Sequence, residues 1–432
     1  MNQFTASLWG DEAWAVTLAV KPYLEIITTV ARDTSPPLYY LCLHTWMKIF
    51  GTSEVSIRSL SFLFFLLTCF FVFLIAKKLW DEKTGLLAAL ACFLNPFLFQ
   101  YAFEGRMYAL LLLTSTCATY FYLSKNRKAY ILAAAAALYS HHFSLFVIGT
   151  HFLWEIPNFF NKKEGLVKTI KPYMVIGLLY LPWLYPLYYQ TSLVGGGFWL
   201  GKPNFKSLTD LLSTFLLNPA QGLIRKALAI LLALTFFIRR WGEIKKEIFL
   251  ASLFLIPVGL TYLISQFFSS IFYDRYLLYT IPPILLLLVS RRNKISLIFI
   301  ILIFLVFLPL NFQYFTHPTK RPFRELANYV QSLDLEDTAL INYNDRSHHL
   351  FESKYYQIPA PIYVPEGNLP FFTGTALMTE GDIIKELPDK PQIIAITSGE
   401  PEKVALPNYQ FTEEKSFGNL HLVWLKKSKI LK

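Results

Sequence analysis

A few short segments of the chain hold side chains whose types suit group transfer. Segment 7–14, Ser-Leu-Trp-Gly-Asp-Glu-Ala-Trp, sets two adjacent carboxylates, Asp11 and Glu12, between tryptophans. Segment 100–108 carries Glu104 and Arg106 on either side of a glycine and closes on Tyr108. His141 and His142 are adjacent, Arg275 sits within Tyr273-Asp274-Arg275-Tyr276, and Arg58 stands at the start of an apolar run. A carboxylate can take the proton from an attacking hydroxyl. A guanidinium binds phosphate through its planar fork.

Each feature also has a plainer explanation. A carboxylate after Gly10 suits a helix N-terminus, and Trp9 and Trp14 suit an interface. The pair Pro36-Pro37 starts a helix naturally. Glu104 and Arg106 could form a structural ion pair. Paired histidines in a loop are more often ordinary polar residues than metal ligands. Cys42, Cys69, Cys92 and Cys117 lack metal-ligand spacing and read as buried apolar side chains.

The elements that must position these groups are membrane helices. Of 432 residues, 54% are hydrophobic and 16% charged, and the mean hydropathy is +0.40. Soluble domains carry roughly a quarter charged residues. The net charge of +11 comes largely from short basic runs between apolar stretches. Membrane orientation accounts for such runs, and a nucleic-acid partner is not expected.

A hydrocarbon core of about 30 Å needs about 20 apolar residues as helix. Candidate spans are 56–76, 84–102, 107–123, 129–139, 143–156, 173–189, 225–238, 248–267, 276–290 and 295–312. Between alternate spans lie basic clusters: Lys77, Lys78 and Lys83; Lys125, Arg127 and Lys128; Lys162, Lys163, Lys168 and Lys171; Arg239, Arg240, Lys245 and Lys246; Arg291, Arg292 and Lys294. All fall on one face, which the charge rule makes cytoplasmic. The connections 103–106, 140–142, 191–224 and 268–275 then lie outside, and the carboxylates, arginines and aromatics gather at the outer edge. A lipid phosphate headgroup lies at this depth, so the set suits transfer from a lipid phosphate to an acceptor outside.

The fold class expected is a mainly α, polytopic transmembrane bundle of about ten spans with a small C-terminal extracytoplasmic α/β domain. The division is 1–55, an outer segment with juxtamembrane helices; 56–315, the membrane domain; and 316–432, the soluble domain. Segment 36–50 reads as a re-entrant or interfacial helix, since a span there would invert every later cluster. An outer segment with nothing to export it implies a first transmembrane helix missing from this sequence. Segment 191–224 contains Gly195-Gly196-Gly197 before Phe198 and Trp199, and reads equally as a mobile lid or an inert connection. In the soluble part, 324–333 has helical spacing, while 339–342, 393–397 and 420–425 read as strands. His348 and His349 are expected at its surface, and the domain to bind acceptor or cap the active site.

The ordered set of segment 7–14, Pro36-Pro37-Leu38-Tyr39-Tyr40 with His44 and Trp46, Glu104-Gly105-Arg106-Met107-Tyr108, segment 139–143, and Arg275-Tyr276 followed by Pro282 resembles the GT-C glycosyltransferases. The likeness is to the protein O-mannosyltransferase-like family, which includes the lipid A aminoarabinose transferases. It covers most of the membrane domain. It implies a polyprenyl-phosphate-linked sugar donor, inversion at the anomeric carbon, and a lipid, glycan or protein acceptor outside a cell (inner) membrane.

By this resemblance Asp11 activates or positions the acceptor, Glu12 assists it, and Glu104 is the acidic partner from the second outer loop. Arg58, Arg106 and Arg275 are candidates for the donor phosphate, with Tyr108, His141, His142 and Tyr276 as further substrate contacts. The outer carboxylates could hold a divalent metal ion, and no other cofactor is expected. The family often has histidine where Ser35 stands, which leaves any role of that histidine open here. A span normally precedes its Asp-Glu pair. The rival readings are a transporter or lipid flippase, and an anchoring protein whose soluble domain does the work.

Overall fold

The computed structural model describes residues 1–160, 166–238, 243–290, 293–344 and 348–428. Lys162, Lys163, Arg239, Arg240, Arg291 and Arg292 lie outside the described residues. The chain forms two compact units, one of residues 30–42 and 58–316, the other of residues 1–29, 43–57 and 317–432.

The larger unit is helical, and its helices follow the apolar runs between basic clusters. Asp81 opens the helix Glu82–Leu94 by accepting the Thr84 N–H at 2.7 Å. The stretch expected as one span over 84–102 breaks at Asn95, because a residue before proline is disfavoured in the α region. Asn95 is extended and caps the next helix, Pro96–Tyr101, by accepting the Leu98 N–H. Its amide also donates to the Phe215 carbonyl at 2.8 Å. The expected span 173–189 is likewise divided at Pro182, into Leu166–Tyr180 and Leu184–Gly195 joined by a 3-10 turn. Gly85 lets its helix approach Glu54–Leu79 closely: a Cβ there would come within 2.9 Å of the Phe73 carbonyl. Small residues permit such backbone approach between membrane helices.

Among the described residues, three helices are long and apolar enough to cross a membrane alone: Glu54–Leu79, Ile244–Phe267 and Lys294–Thr316. A fourth crossing is available if Phe205–Leu217 and Gly222–Ile238, bent by 94°, act as one. The expected ten spans include helices too short to qualify alone, such as Tyr108–Leu123. Segment 191–224 is no simple connection, since it ends one helix and contains Phe205–Leu217. Asn204 caps that helix by accepting the Ser207 N–H at 3.1 Å. Segment 36–50 contains the expected helix, starting after the two prolines at Leu38 and ending at Phe50.

The second unit is built on a six-stranded sheet: β1 (Thr338–Tyr343), β2 (Ile362–Tyr363), β3 (Ile383–Ile384), β4 (Gln392–Thr397), β5 (Tyr409–Phe417) and β6 (Leu420–Lys427). Their order is β3-β2-β1-β4-β6-β5. The first four are parallel, and β6 and β5 are antiparallel. Side chains alternate between faces, so Leu340, Ile394, Ile396, Leu422 and Trp424 face the helix Phe323–Gln331. Ile341, Ile393, Ala395, Val423 and Leu425 form the core of the opposite face. The N-terminal helix Gly10–Ala19 belongs to this unit and packs against the short helix Leu350–Tyr355. His349 is wholly buried and His348 partly so, contrary to their expected surface position.

Candidate active site

In the helical unit, Glu104 and Arg106 occupy the tight turn between Pro96–Tyr101 and Tyr108–Leu123. The Arg106 N–H donates to the Glu104 carbonyl at 2.8 Å. Tyr108, wholly buried, lies within electrostatic reach of Glu104, Arg106 and Arg275. The Arg275 guanidinium stands 4.8 Å from the Tyr273 ring centre, 5.5 Å from Tyr108 and 5.9 Å from Tyr276. An aromatic face attracts a cation, and three rings surround this guanidinium. The Tyr108 and Tyr276 rings stack at 6.3 Å, and His141 lies 5.3 Å from Tyr276. Trp199, from the long segment, meets Tyr273 edge-on at 5.2 Å.

The two histidines are electrostatically alike but differently placed. Burial pushes His141 down to about 3, helped by His142, Arg106 and Arg275. Burial also lowers His142 to about 4, partly offset by its hydrogen bond to Gln190. Both are therefore neutral near pH 7. Asp274, next to Arg275, is raised by burial, and the Arg275 N–H bonded to it at 2.7 Å and the guanidinium oppose that rise.

Sequence reasoning passed over Asp274 and Gln190. Gln190 accepts from His142 Nε2 at 2.7 Å and donates to the Val30 and Ser35 carbonyls at 2.8 and 3.2 Å. It thus ties the histidine loop to the segment before Pro36. Its one signal in the sequence is an amide within an otherwise apolar helix. Arg58 is wholly buried near the start of Glu54–Leu79.

In the other unit, Asp11 and Glu12 are the second and third residues of Gly10–Ala19, whose N-cap is Trp9 rather than Asp11. Glu12 is wholly buried. Its carboxylate accepts from the Trp9 N–H at 3.4 Å and from Lys320 Nζ at 2.9 Å. Asp11 is half-buried. Lys320 carried no signal in the sequence, because its partner lies 308 positions away. Among the described residues, no three His, Cys, Asp or Glu side chains converge as metal ligands.

Residues 34–189 match the family described as dolichyl-phosphate-mannose-protein mannosyltransferase. That stretch holds Arg58, Glu104, Arg106, Tyr108, His141 and His142. No curated protein matches the chain significantly. Among solved structures, ArnT from Cupriavidus metallidurans in the apo state is similar at 12% identity and a TM-score of 0.66, over 98% of this chain and 94% of that one. ArnT bound to undecaprenyl phosphate gives 11% identity and a TM-score of 0.61 over the same shares. At such identity the likeness is one of fold. A segment of the chain thus matches a GT-C glycosyltransferase family model, and the chain as a whole shares the fold of ArnT.

Proposed function

We propose that the chain transfers a sugar from a polyprenyl-phosphate-linked donor to an acceptor hydroxyl, with inversion, on the extracytoplasmic side of a cell membrane. The observation that carries this reading is Arg275 on its tyrosine platform, with Arg106 and Arg275 both within electrostatic reach of His141. These cations suit a lipid phosphate, both bound and leaving. The binding of undecaprenyl phosphate by ArnT supports the same donor class.

A place for the lipid chain is also at hand in the helical unit. An apolar cleft of about 540 Å³ is lined by Leu212, Leu216, Leu232, Phe236, Phe254 and Leu287 among others. Its lining includes Ser213, whose hydroxyl accepts from Arg225.

The reaction is a single displacement. The acceptor oxygen attacks the anomeric carbon as its proton passes to the Asp11 carboxylate. The carbon–oxygen bond to phosphate breaks, and polyprenyl phosphate leaves with the electron pair, stabilised by the arginines. Orientation and charge stabilisation supply most of the rate, since the leaving group is already good. Glu104, in the turn with Arg106, orients the donor sugar or the acceptor.

Purified protein given a total lipid and glycan extract of its source membranes, which supplies both the lipid-linked sugars and the acceptors, should release polyprenyl phosphate. Asp11→Asn should slow that release by a factor of about 100 or more, the scale of a lost general base. Wild-type release by that variant removes Asp11 from the chemistry. No release by the native protein removes the transferase reading.

A further inference from the structure

The turn before Asp11 is held from residues far along the chain, in the same compact unit. The Leu8 N–H donates to the Tyr356 hydroxyl at 3.0 Å, and that hydroxyl donates to Glu54 at 2.8 Å. The Arg324 N–H donates to the Ser7 hydroxyl at 3.1 Å. The Trp14 indole donates to the Gly374 carbonyl at 3.4 Å. At the first helical residue itself, both Glu352 carboxylate oxygens lie 3.5 Å from where a Cβ of Gly10 would stand.

Glu352 belongs to Leu350–Tyr355 and is 2% exposed. Its Oε1 accepts from His349 Nδ1 at 3.2 Å, and His349 is fully enclosed. Glu352 Oε2 and His349 Nε2 are buried and, among the described residues, make no further hydrogen bond. Burying such a pair is costly unless it serves something. A carboxylate at a helix N-terminus is favourable, and this helix opens with Gly10-Asp11-Glu12.

We infer that Glu352, braced by His349, is a positioning residue that fixes the first turn of Gly10–Ala19 and thereby the Asp11 carboxylate. The C-terminal domain is then part of the catalytic apparatus. This rests on the transfer reading for what Asp11 does, but the geometry claimed does not. A displaced general base costs rate while leaving donor affinity alone, and an error of about 1 Å can cost about 100-fold. Glutamine at 352 keeps the volume beside Gly10 and an acceptor for His349, whereas alanine keeps neither.

The test uses the full chain in nanodiscs with two readouts. The first is turnover of lipid-linked sugars from the source membranes, together with the affinity for undecaprenyl phosphate. Glu352→Ala should lower kcat tenfold or more with that affinity unchanged within twofold, and Glu352→Gln should recover most of the loss. The second is the rate at which a small methanethiosulfonate modifies an Asp11→Cys thiol. Adding Glu352→Ala should change it at least fivefold, and adding Glu352→Gln should not. Leu420→Ala, a core variant of the same domain, sets the effect of general destabilisation.

Native kcat in Glu352→Ala overturns the inference, as does a glutamine variant no better than alanine. A thiol rate unmoved by either, or moved as much by Leu420→Ala, overturns it too. If the native protein turns over no lipid-linked sugar, the transfer reading fails, and the thiol rates still decide the positioning.

Discussion

His142 donates through Nε2 to the Gln190 side-chain carbonyl at 2.7 Å, while its Nδ1 accepts from the Tyr180 hydroxyl at 3.1 Å. Burial lowers His142 to about 4 and so keeps the imidazole neutral near pH 7, which makes Nδ1 the acceptor once Nε2 donates. The Gln190 amide then spends both protons on backbone carbonyls, of Val30 and of Ser35. One buried amide therefore connects a histidine loop to a segment more than a hundred residues earlier.

Gln190→Leu should accordingly destabilise the membrane unit. It strands an imidazole N–H and takes a donor from the Ser35 carbonyl, while the Val30 carbonyl keeps the Asp33 N–H at 3.0 Å; each buried unsatisfied group costs about 1–3 kcal/mol. Thermal unfolding in detergent should show a midpoint lower by several degrees. An unchanged midpoint would mean that water replaces the amide without loss.

Arg275→Lys should weaken undecaprenyl phosphate binding about tenfold while the protein still inserts and folds. Lysine keeps the charge but loses the flat face that lies against the tyrosines and the fork that grips phosphate. Titration with the lipid, monitored by intrinsic fluorescence, reads this directly. Equal affinity in the lysine variant counts against a bidentate phosphate contact.

Acid should destabilise the fold through His141 and His142. Both have folded-state values, about 3 and about 4, below the ordinary 6.5. Between those values and 6.5 the unfolded chain binds more protons, so stability rises with pH through that window and is lost as pH falls through it. The unfolding midpoint should drop from pH 6.5 towards pH 4, and His142→Gln should flatten that slope. The same neutrality means that neither histidine produces an inflection in turnover between pH 6 and 8.

Lys320→Met should cost about 3 kcal/mol, the scale for breaking a buried ion pair from one side. It removes the ammonium facing Glu12, whose carboxylate is wholly enclosed. Adding Glu12→Gln should recover part of that loss. Chemical denaturation of the single and double variants forms the cycle that measures it, and strict additivity would show that the two side chains are uncoupled.

Apolar runs and basic clusters located the helices because both are local properties of the chain. The alternating residues of β1, β4 and β6 were legible for the same reason. Breaks at Asn95 and Pro182 had signals in the sequence, an asparagine before proline and a proline within the run, yet apolar length outweighed them. The helix Phe205–Leu217 was hidden because the nearby glycines dominate the segment's appearance. Glu104, Arg106, Tyr108, His141, Arg275 and Tyr276 fall within one unit, whereas Asp11 and Glu12 belong to the other. Gln190, Lys320 and Glu352 were illegible for a different reason. Each matters through a partner more than forty positions away, and a lone polar residue does not announce that partner.

Residues 1–29 share their compact unit with residues 317–432. A ribosome makes the aspartate turn more than three hundred residues before Lys320, Glu352 and Tyr356 emerge. The turn must therefore wait, unsupported, through insertion of every intervening helix. Polypeptides that stop short of those residues would lack the braces that shape it, and quality control would meet a chain whose helices are made but whose first turn is not held.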